Sequence, residues 1–280
     1  MDRILIVDGS NLLFQMFFGM PSRIVNSEGK AIQGTLGFVG ALLKIIRMTS
    51  PTHLAVFFDG EHENFRAKID HGYKANRIDY SEVAEEESPF SQLQDIYAAL
   101  DFLGVLHFEA QDCEADDIIA GYAIKYGNDY EIIISSFDSD FFQLITDKVS
   151  VLRYKGEKTV VCTPEYIVEK LGIIPSQYAD FKSLTGDRAD NIRGADKVGP
   201  KTAVALLAKF GTLKNILNSP EEIDRMSVRS SISGSRERLI NNYKMIKLGN
   251  SAKLPFSLSE IRYRHKAITT TEILVHIGLK

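Results

Sequence analysis

The stretch CEADDIIAGYA, residues 113 to 123, places Glu114, Asp116 and Asp117 directly before an apolar run with helical character. Acidic side chains in the first turn of a helix complement its macrodipole, each by about 0.3–1 kcal/mol. That accounts comfortably for one or two of them. A third is harder to accommodate, because side chains three positions apart lie roughly 5–6 Å from one another and like charges there repel. Six further acids stand in comparable settings. Asp8, Asp59, Asp138 and Asp140 follow apolar runs, and Asp187 and Asp190 lie three apart in a Gly-rich segment. Nine carboxylates packed together without cations would repel strongly or take up protons. Hard divalent cations with oxygen ligands remove the difficulty, and Mg2+ favours carboxylates together with substrate phosphate. Two such ions roughly 3.5–4 Å apart can activate a water and stabilise the leaving oxygen of a phosphodiester. That is nuclease chemistry.

For this to work, the fold has to bring the acids to one place. RILIVDGSN (3 to 11), THLAVFFDG (52 to 60) and YEIIISSFDSD (130 to 140) are short apolar runs of the kind that form buried parallel strands, each delivering an Asp just past its last apolar residue. VLHFEA (105 to 110) is a fourth candidate strand, and helical patterns over about 34 to 49, 89 to 103 and 114 to 126 lie between the runs. Alternating strands and helices predict an α/β fold with a mostly parallel central sheet and flanking helices. Ligands of such sheets bind beyond the carboxyl ends of the strands, so Asp8, Asp59 and Asp138 are expected on one rim, with Glu114 near the N-cap of the helix that follows the fourth strand.

From about Thr163 strand signals cease and short helical patterns alternate with Gly and Pro. This predicts an α/β core over 1–172, with an overhanging segment near 66–100, and a helical region over 173–280. In the latter, Gly194 and Gly199 bracket a tight turn that opens a helix at Pro200, where proline is at home. The helix start, with Lys197, Lys201 and Thr202 beside it, could receive a phosphate. The segment containing Tyr73, Lys74 and Arg77 is basic and aromatic and would overhang the rim, whereas the acidic run Glu85 to Glu87 reads as a solvated connection.

At 280 residues and 44% hydrophobic content the chain can bury a full core. No apolar run approaches membrane-spanning length and no leader precedes the first strand, so a soluble, cytoplasmic, monomeric protein is expected. Cys113 and Cys162 lack metal-type spacing, and the six histidines form no cluster. The net charge of −4 argues against a nucleic-acid partner only superficially, since the balance outside the nine acids is positive.

In this order, IVDGSN, FDG with a following FR at Phe65 and Arg66, YKANR, EADD, SFDSD with QL, GDRADNI and GPKTA resemble the motifs of the bacterial and phage 5′ nuclease (flap endonuclease) family. This family includes the 5′–3′ exonuclease domain of DNA polymerase I, and the chain is most similar to its free-standing short form. Each motif alone is unspecific; their order and spacing together carry the resemblance, from LIVDG to at least KFGTL. It implies a PIN-like fold and a Mg2+- or Mn2+-dependent enzyme with two or more metal ions. Asp8, Asp59, Glu114, Asp116 and Asp117 would serve the first metal group, and Asp138, Asp140, Asp187 and Asp190 the second. The resemblance also implies that Lys74 approaches the scissile phosphate, that Arg66 and Arg77 contact phosphates, with Arg77 joining Lys74 in stabilising charge, and that Tyr73 stacks on a terminal base. The region near 184–210, with Gly194, Lys197, Gly199, Lys201 and Thr202, would form a helix-three-turn-helix gripping duplex DNA, often with a monovalent cation such as K+ on its backbone carbonyls. Two departures stand out. Gln15 follows Phe14 where relatives commonly carry Arg, and Lys197 occupies the middle glycine position of the hairpin, where a positive φ would strain it and alter the K+ site.

The implied substrate is branched or 5′-ended duplex DNA in replication and repair, near the nucleoid, with a DNA polymerase or ligase as a conceivable partner. Two rivals remain open at this point: a non-catalytic DNA-structure-binding protein of the same fold, and a PIN-type ribonuclease, which would not need the glycine hairpin.

Overall fold

The computed structural model describes residues 2–20, 22–60, 66, 69–70, 72–76, 78, 80 and 83–280. Strand β1 (Arg3–Asp8) is apolar from Ile4 to Val7 and buried there, and it lies at the centre of the sheet. Its side chains alternate between faces. Ile4 and Ile6 enter one hydrophobic cluster, Leu5 and Val7 the other. Parallel to it run β2 (His53–Asp59) on one side and β4 (Glu131–Ser135) on the other. Outside these lie β3 (Leu106–Ala110) and β5 (Val149–Arg153), and β6 (Val160–Cys162) closes one edge antiparallel to β5, giving the order β3-β2-β1-β4-β5-β6.

Helices cover both faces. On the Leu5/Val7 side pack α1 (Gly9–Gly19), α2 (Gln33–Thr49) and α3 (Leu93–Leu103), contributing Leu13, Phe38, Leu42, Ile45, Ile46 and Leu100. On the other side α4 (Ala115–Tyr126) contributes Ile118, Ile119 and Tyr122. The fold is thus the expected mostly parallel sheet with flanking helices. Helix α1 starts directly at Gly9 with no intervening turn, because Asp8 itself caps it, and β5 and β6 carry no distinctive run in the sequence.

Beyond β6 the regular elements of the described chain are helices, except for one minimal hairpin. Helices α5 (Pro164–Leu171) and α6 (Tyr178–Thr185) lead into strands β7 (Gly186–Asp187) and β8 (Ile192–Arg193). After them come α7 (Pro200–Phe210), α8 (Leu213–Asn218), α9 (Met226–Gly234), α10 (Arg236–Ile246) and α11 (Thr270–His276). The Ile4/Ile6 cluster continues without a break into this region through Tyr178, Phe181, Leu184, Leu207 and Ile216. The helices are therefore packed onto the sheet's own core.

The turn before α7 has unequal glycines. A Cβ on Gly194 would sit 2.4 Å from the Leu184 carbonyl oxygen and 2.4 Å from a Thr185 backbone carbon, whereas one on Gly199 meets nothing within 4 Å. Lys197 does take up the left-handed backbone, at φ 62°. Gly194→Ala should accordingly lower the melting temperature by several degrees or prevent folding, because backbone atoms have to move. Gly199→Ala should leave it nearly unchanged. Lys197→Gly should stabilise the fold, relieving roughly 1 kcal/mol of left-handed strain. Thermal denaturation of the three variants checks all of this; equal melting temperatures for the two alanine variants would contradict the geometry.

Candidate active site

Parallel register puts the strand ends side by side. Asp8 lies opposite Phe57 and Asp59 opposite Ala110, so both carboxylates leave the same edge of the sheet. Asp8 accepts the Asn11 N–H at 3.0 Å, capping α1, and the Ser136 hydroxyl at 2.7 Å. The Ser136 oxygen accepts the Asp138 N–H at 2.9 Å, and Asp138 accepts the Asp140 N–H at 2.8 Å. This chain of bonds ties the end of β1 to the loop after β4. Asp59 accepts the Ala115 N–H at 2.9 Å and so caps α4 from outside that helix. Glu114 stands at the N-cap of α4 yet makes no side-chain capping bond. Its carboxylate is directed to two cations instead.

Those cations are Arg66 and Lys74. Arg66 lies 2.6 Å from Glu114, grips both oxygens of Asp117 at 2.8 and 2.9 Å, and donates its Nε–H to the Met245 carbonyl at 2.8 Å. Lys74 pairs with Glu114 from the other side. Asp8, Asp59, Glu114, Asp116 and Asp138 line an open cavity of about 570 Å³ together with Lys74, Ser10 and Asn11, and Phe14, Tyr80 and Phe90 form an aromatic wall. These three rings meet edge to face at 5.4–5.6 Å between centroids.

Crowding and burial show in the protonation equilibria. Burial, reinforced by Asp59, pushes Asp8 up to about 7. Asp116 is raised well above the usual carboxylate range by burial and then by Asp138, Asp59 and Asp8. Asp140 is pushed up to about 8 by burial and Asp138, partly opposed by Lys182. Lys182 forms an ion pair with Asp187. Sequence reasoning missed this lysine because a basic residue in the last turn of a helix is ordinary dipole complementation. The Ser136 bridge was missed too, being an unremarkable polar residue after a strand.

The structure treats the expected site residues unequally. Lys74 reaches the cavity, and Lys197 and Lys201 are exposed on the hairpin turn and helix start, with Thr202 half-buried beside them. Arg66 was expected to contact phosphate, but its guanidinium is buried and occupied by Glu114, Asp117 and a carbonyl, so such a contact would require breaking these bonds. Tyr73 was expected to stack on a base. It is buried against Ile192, Met245 and Ile246, its hydroxyl 3.4 Å from Glu114. Gln15 donates to the Tyr154 carbonyl at 2.7 Å, a structural contact. Arg77 lies outside the described residues.

Among the described residues no group of three or more His, Cys, Asp or Glu side chains is arranged to hold a metal ion unaided. Asp117 and Asp187 are taken up by Arg66 and Lys182. The donor set nevertheless suits a hard cation that retains waters and shares substrate oxygens. All candidate donors are carboxylates, several are driven toward protonation by burial and then by one another, and Asp140 Oδ1 is buried without a hydrogen-bond partner among the described residues.

A parallel sheet with carboxylates along its carboxyl rim, packed against a helical region with a glycine turn, defines a nuclease fold of the PIN-like type. The chain belongs to the 5′–3′ exonuclease family: residues 3–172 match its N-terminal resolvase-like domain and residues 173–269 its C-terminal SAM fold. It is 33% identical over 261 residues to the thermostable DNA polymerase I of Thermus thermophilus, covering 93% of this chain and 30% of that one. It thus spans less than a third of the length of that polymerase. It is also 35% identical over 262 residues to the 5′-3′ exonuclease of Buchnera aphidicola, covering 92% of this chain and 86% of the relative. Among solved structures, the bacteriophage T5 flap endonuclease in a pseudo-enzyme-product complex with DNA and metal ions superposes with a TM-score of 0.72 at 25% identity, over 87% of this chain and 88% of that one.

The raised carboxyls have a stability consequence. A carboxyl whose folded-state pKa exceeds its unfolded value binds protons more tightly when folded, so the stability it contributes is complete below about 4 and lost as pH rises through about 7 to 8. In EDTA the melting temperature should therefore fall between pH 5 and pH 8.5, and Asp140→Asn should flatten that fall. Mg2+ at pH 8.5 should raise the melting temperature by binding the native state, less in Asp140→Asn. Calorimetry at the two pH values, with and without Mg2+, measures each difference; a pH profile identical in wild type and Asp140→Asn would contradict the crowding.

Proposed function

We propose that this chain is a divalent-metal-dependent 5′ nuclease that hydrolyses phosphodiester bonds at 5′ ends or 5′ flaps of branched DNA. The observation that carries the proposal is the open cavity where Asp8, Asp59, Glu114, Asp116 and Asp138 face Lys74. Such a cavity suits a phosphodiester, whose oxygens need positive charge on one side and metal ions on the other. Asp8, Asp59, Asp116 and Asp138 would hold Mg2+ or Mn2+, with Asp140 and Asp190 extending the set. When bound, the ions supply neutralisation of the phosphate and acidification of water. Lys74 contributes a fixed cation beside the attacked phosphate, most valuable as charge develops in the transition state. Glu114 holds that ammonium in place.

The exposed start of α7 is proposed as the duplex grip. N–H groups that no side chain caps there, with Lys201 beside them, can meet one DNA phosphate. Similarity to a T5 flap endonuclease crystallised with DNA and metal ions supports the substrate class. A DNA polymerase or ligase acting on the same ends remains a proposed partner class, as does K+ at the turn carrying Lys197.

An end-labelled 5′ flap assayed with and without Mg2+ tests the function directly. Cleavage of the flap in preference to single-stranded RNA is expected, and no metal-dependent cleavage of either would leave a DNA-structure-binding protein. Asp116→Ala and Asp138→Ala should abolish turnover while keeping most DNA affinity; near-normal turnover by both would refute metal-assisted hydrolysis at this rim. Lys74→Ala should slow single-turnover cleavage more than it weakens binding. Lys201→Ala should flatten the slope of log affinity against log salt by up to about one unit, similarly for all sequences, as loss of one phosphate contact requires.

A further inference from the structure

Lys74 and Asn191 both have left-handed backbones, at φ 56° and 58°. Asparagine tolerates this conformation well; lysine keeps it only where its surroundings over-determine it. Those surroundings are a clasp between residues 72–76 and the loop 188–191. The Lys74 N–H donates to the Asp190 carbonyl at 3.1 Å, the Asn191 side-chain amide donates to the Gly72 carbonyl at 2.8 Å, and the Asn76 side-chain amide donates to the Arg188 carbonyl at 3.2 Å. Beneath them Tyr73 is anchored among Ile192, Met245 and Ile246. The direction of the Lys74 side chain from its Cα is set by this backbone conformation, and from it the ammonium reaches Glu114 and the cavity.

We propose that Asn191 and Asn76 are positioning residues for Lys74, so that the loop leading into the glycine turn holds the cation over the cavity. The proposal rests on the nuclease reading above. Asn191 does not line the cavity and offers its amide to a backbone carbonyl, so its contribution is to geometry. Asn76 does line it, which makes Asn191 the cleaner probe. The loop 188–191 runs between Asp187 and β8, and β8 continues into Gly194. The clasp therefore links the proposed duplex grip to the proposed transition-state cation.

The test uses Asn191→Gly, which keeps the left-handed backbone and removes only the amide, with Asn76→Ala as the second variant. Three quantities are measured: the single-turnover rate on a 5′ flap with Mg2+ at saturating protein, the Kd for the same DNA in EDTA, and hydrogen exchange at the Lys74 amide. The rate should fall roughly tenfold to hundredfold, as expected for a misplaced catalytic group, while Kd changes less than about twofold and Lys74 exchanges faster. In a Lys74→Ala background the same substitutions should cost less than about twofold, since nothing is left to position. Wild-type rates in both variants, or an undiminished loss in the Lys74→Ala background, would overturn the proposal. A wild-type protein that cuts no flap would refute the nuclease reading instead. Exchange at Lys74 then decides the clasp alone, and unchanged exchange in both variants overturns it.

Discussion

Like charges gathered at one sheet edge are the constraint to which the rest of this molecule answers. Parallel strands end together, and here three of those ends deliver carboxylates close to one another and to Asp116, where repulsion and, for Asp8 and Asp116, burial oppose the folded state. The offsetting interactions are local and specific: backbone N–H groups of Asn11 and Ala115, the hydroxyl of Ser136, and the cations Arg66, Lys74 and Lys182. None cancels the repulsion outright. Asp8, Asp116 and Asp140 keep raised proton affinities, as expected of a site prepared for a stronger positive charge than side chains provide.

Arg66 shows how such a site is held without being neutralised. It binds Glu114 and Asp117 on one side and the carbonyl of Met245, in the last turn of α10, on the other. A buried charge with two carboxylates and a carbonyl is costly to disturb, because removing one partner leaves the others uncompensated. The first turn of α4 is thereby fastened to the helical region. Hydrophobic packing reinforces the link, since one cluster runs from Ile4 and Ile6 of the central strand to Leu207 and Ile216 beyond the glycine turn. A duplex held at α7, as proposed, would consequently lie at a defined place relative to the carboxylates.

Much of this could be read along the chain. Short apolar runs delivering an Asp identified three of the six strands of the main sheet and the rim they share, and VLHFEA a fourth strand, because a short continuous apolar run is a local property of buried parallel strands. The N-cap position of Glu114 followed from local rules, and the left-handed backbone at Lys197 from the glycine that the resembled family carries there. Strands β5 and β6 did not announce themselves: the first has its apolar run broken by Ser150 and the second is a three-residue edge with two exposed valines.

Residue types and spacing, then, determined the α/β class, the acids that could meet at a rim and the turn that opens α7. Tertiary structure alone decided how each of those residues is used. Arg66 and Tyr73 stand in two motifs that read as nucleic-acid contacts; in the fold one lies in buried ion pairs and the other in a small apolar cluster. Lys182 and Ser136 look ordinary in sequence and become partners of the acids. The physical reason is range: hydrophobic periodicity and capping act over a few residues, whereas an ion pair such as Arg66 with Glu114 joins positions far apart in the chain, and its formation depends on every strand and helix that brings them together.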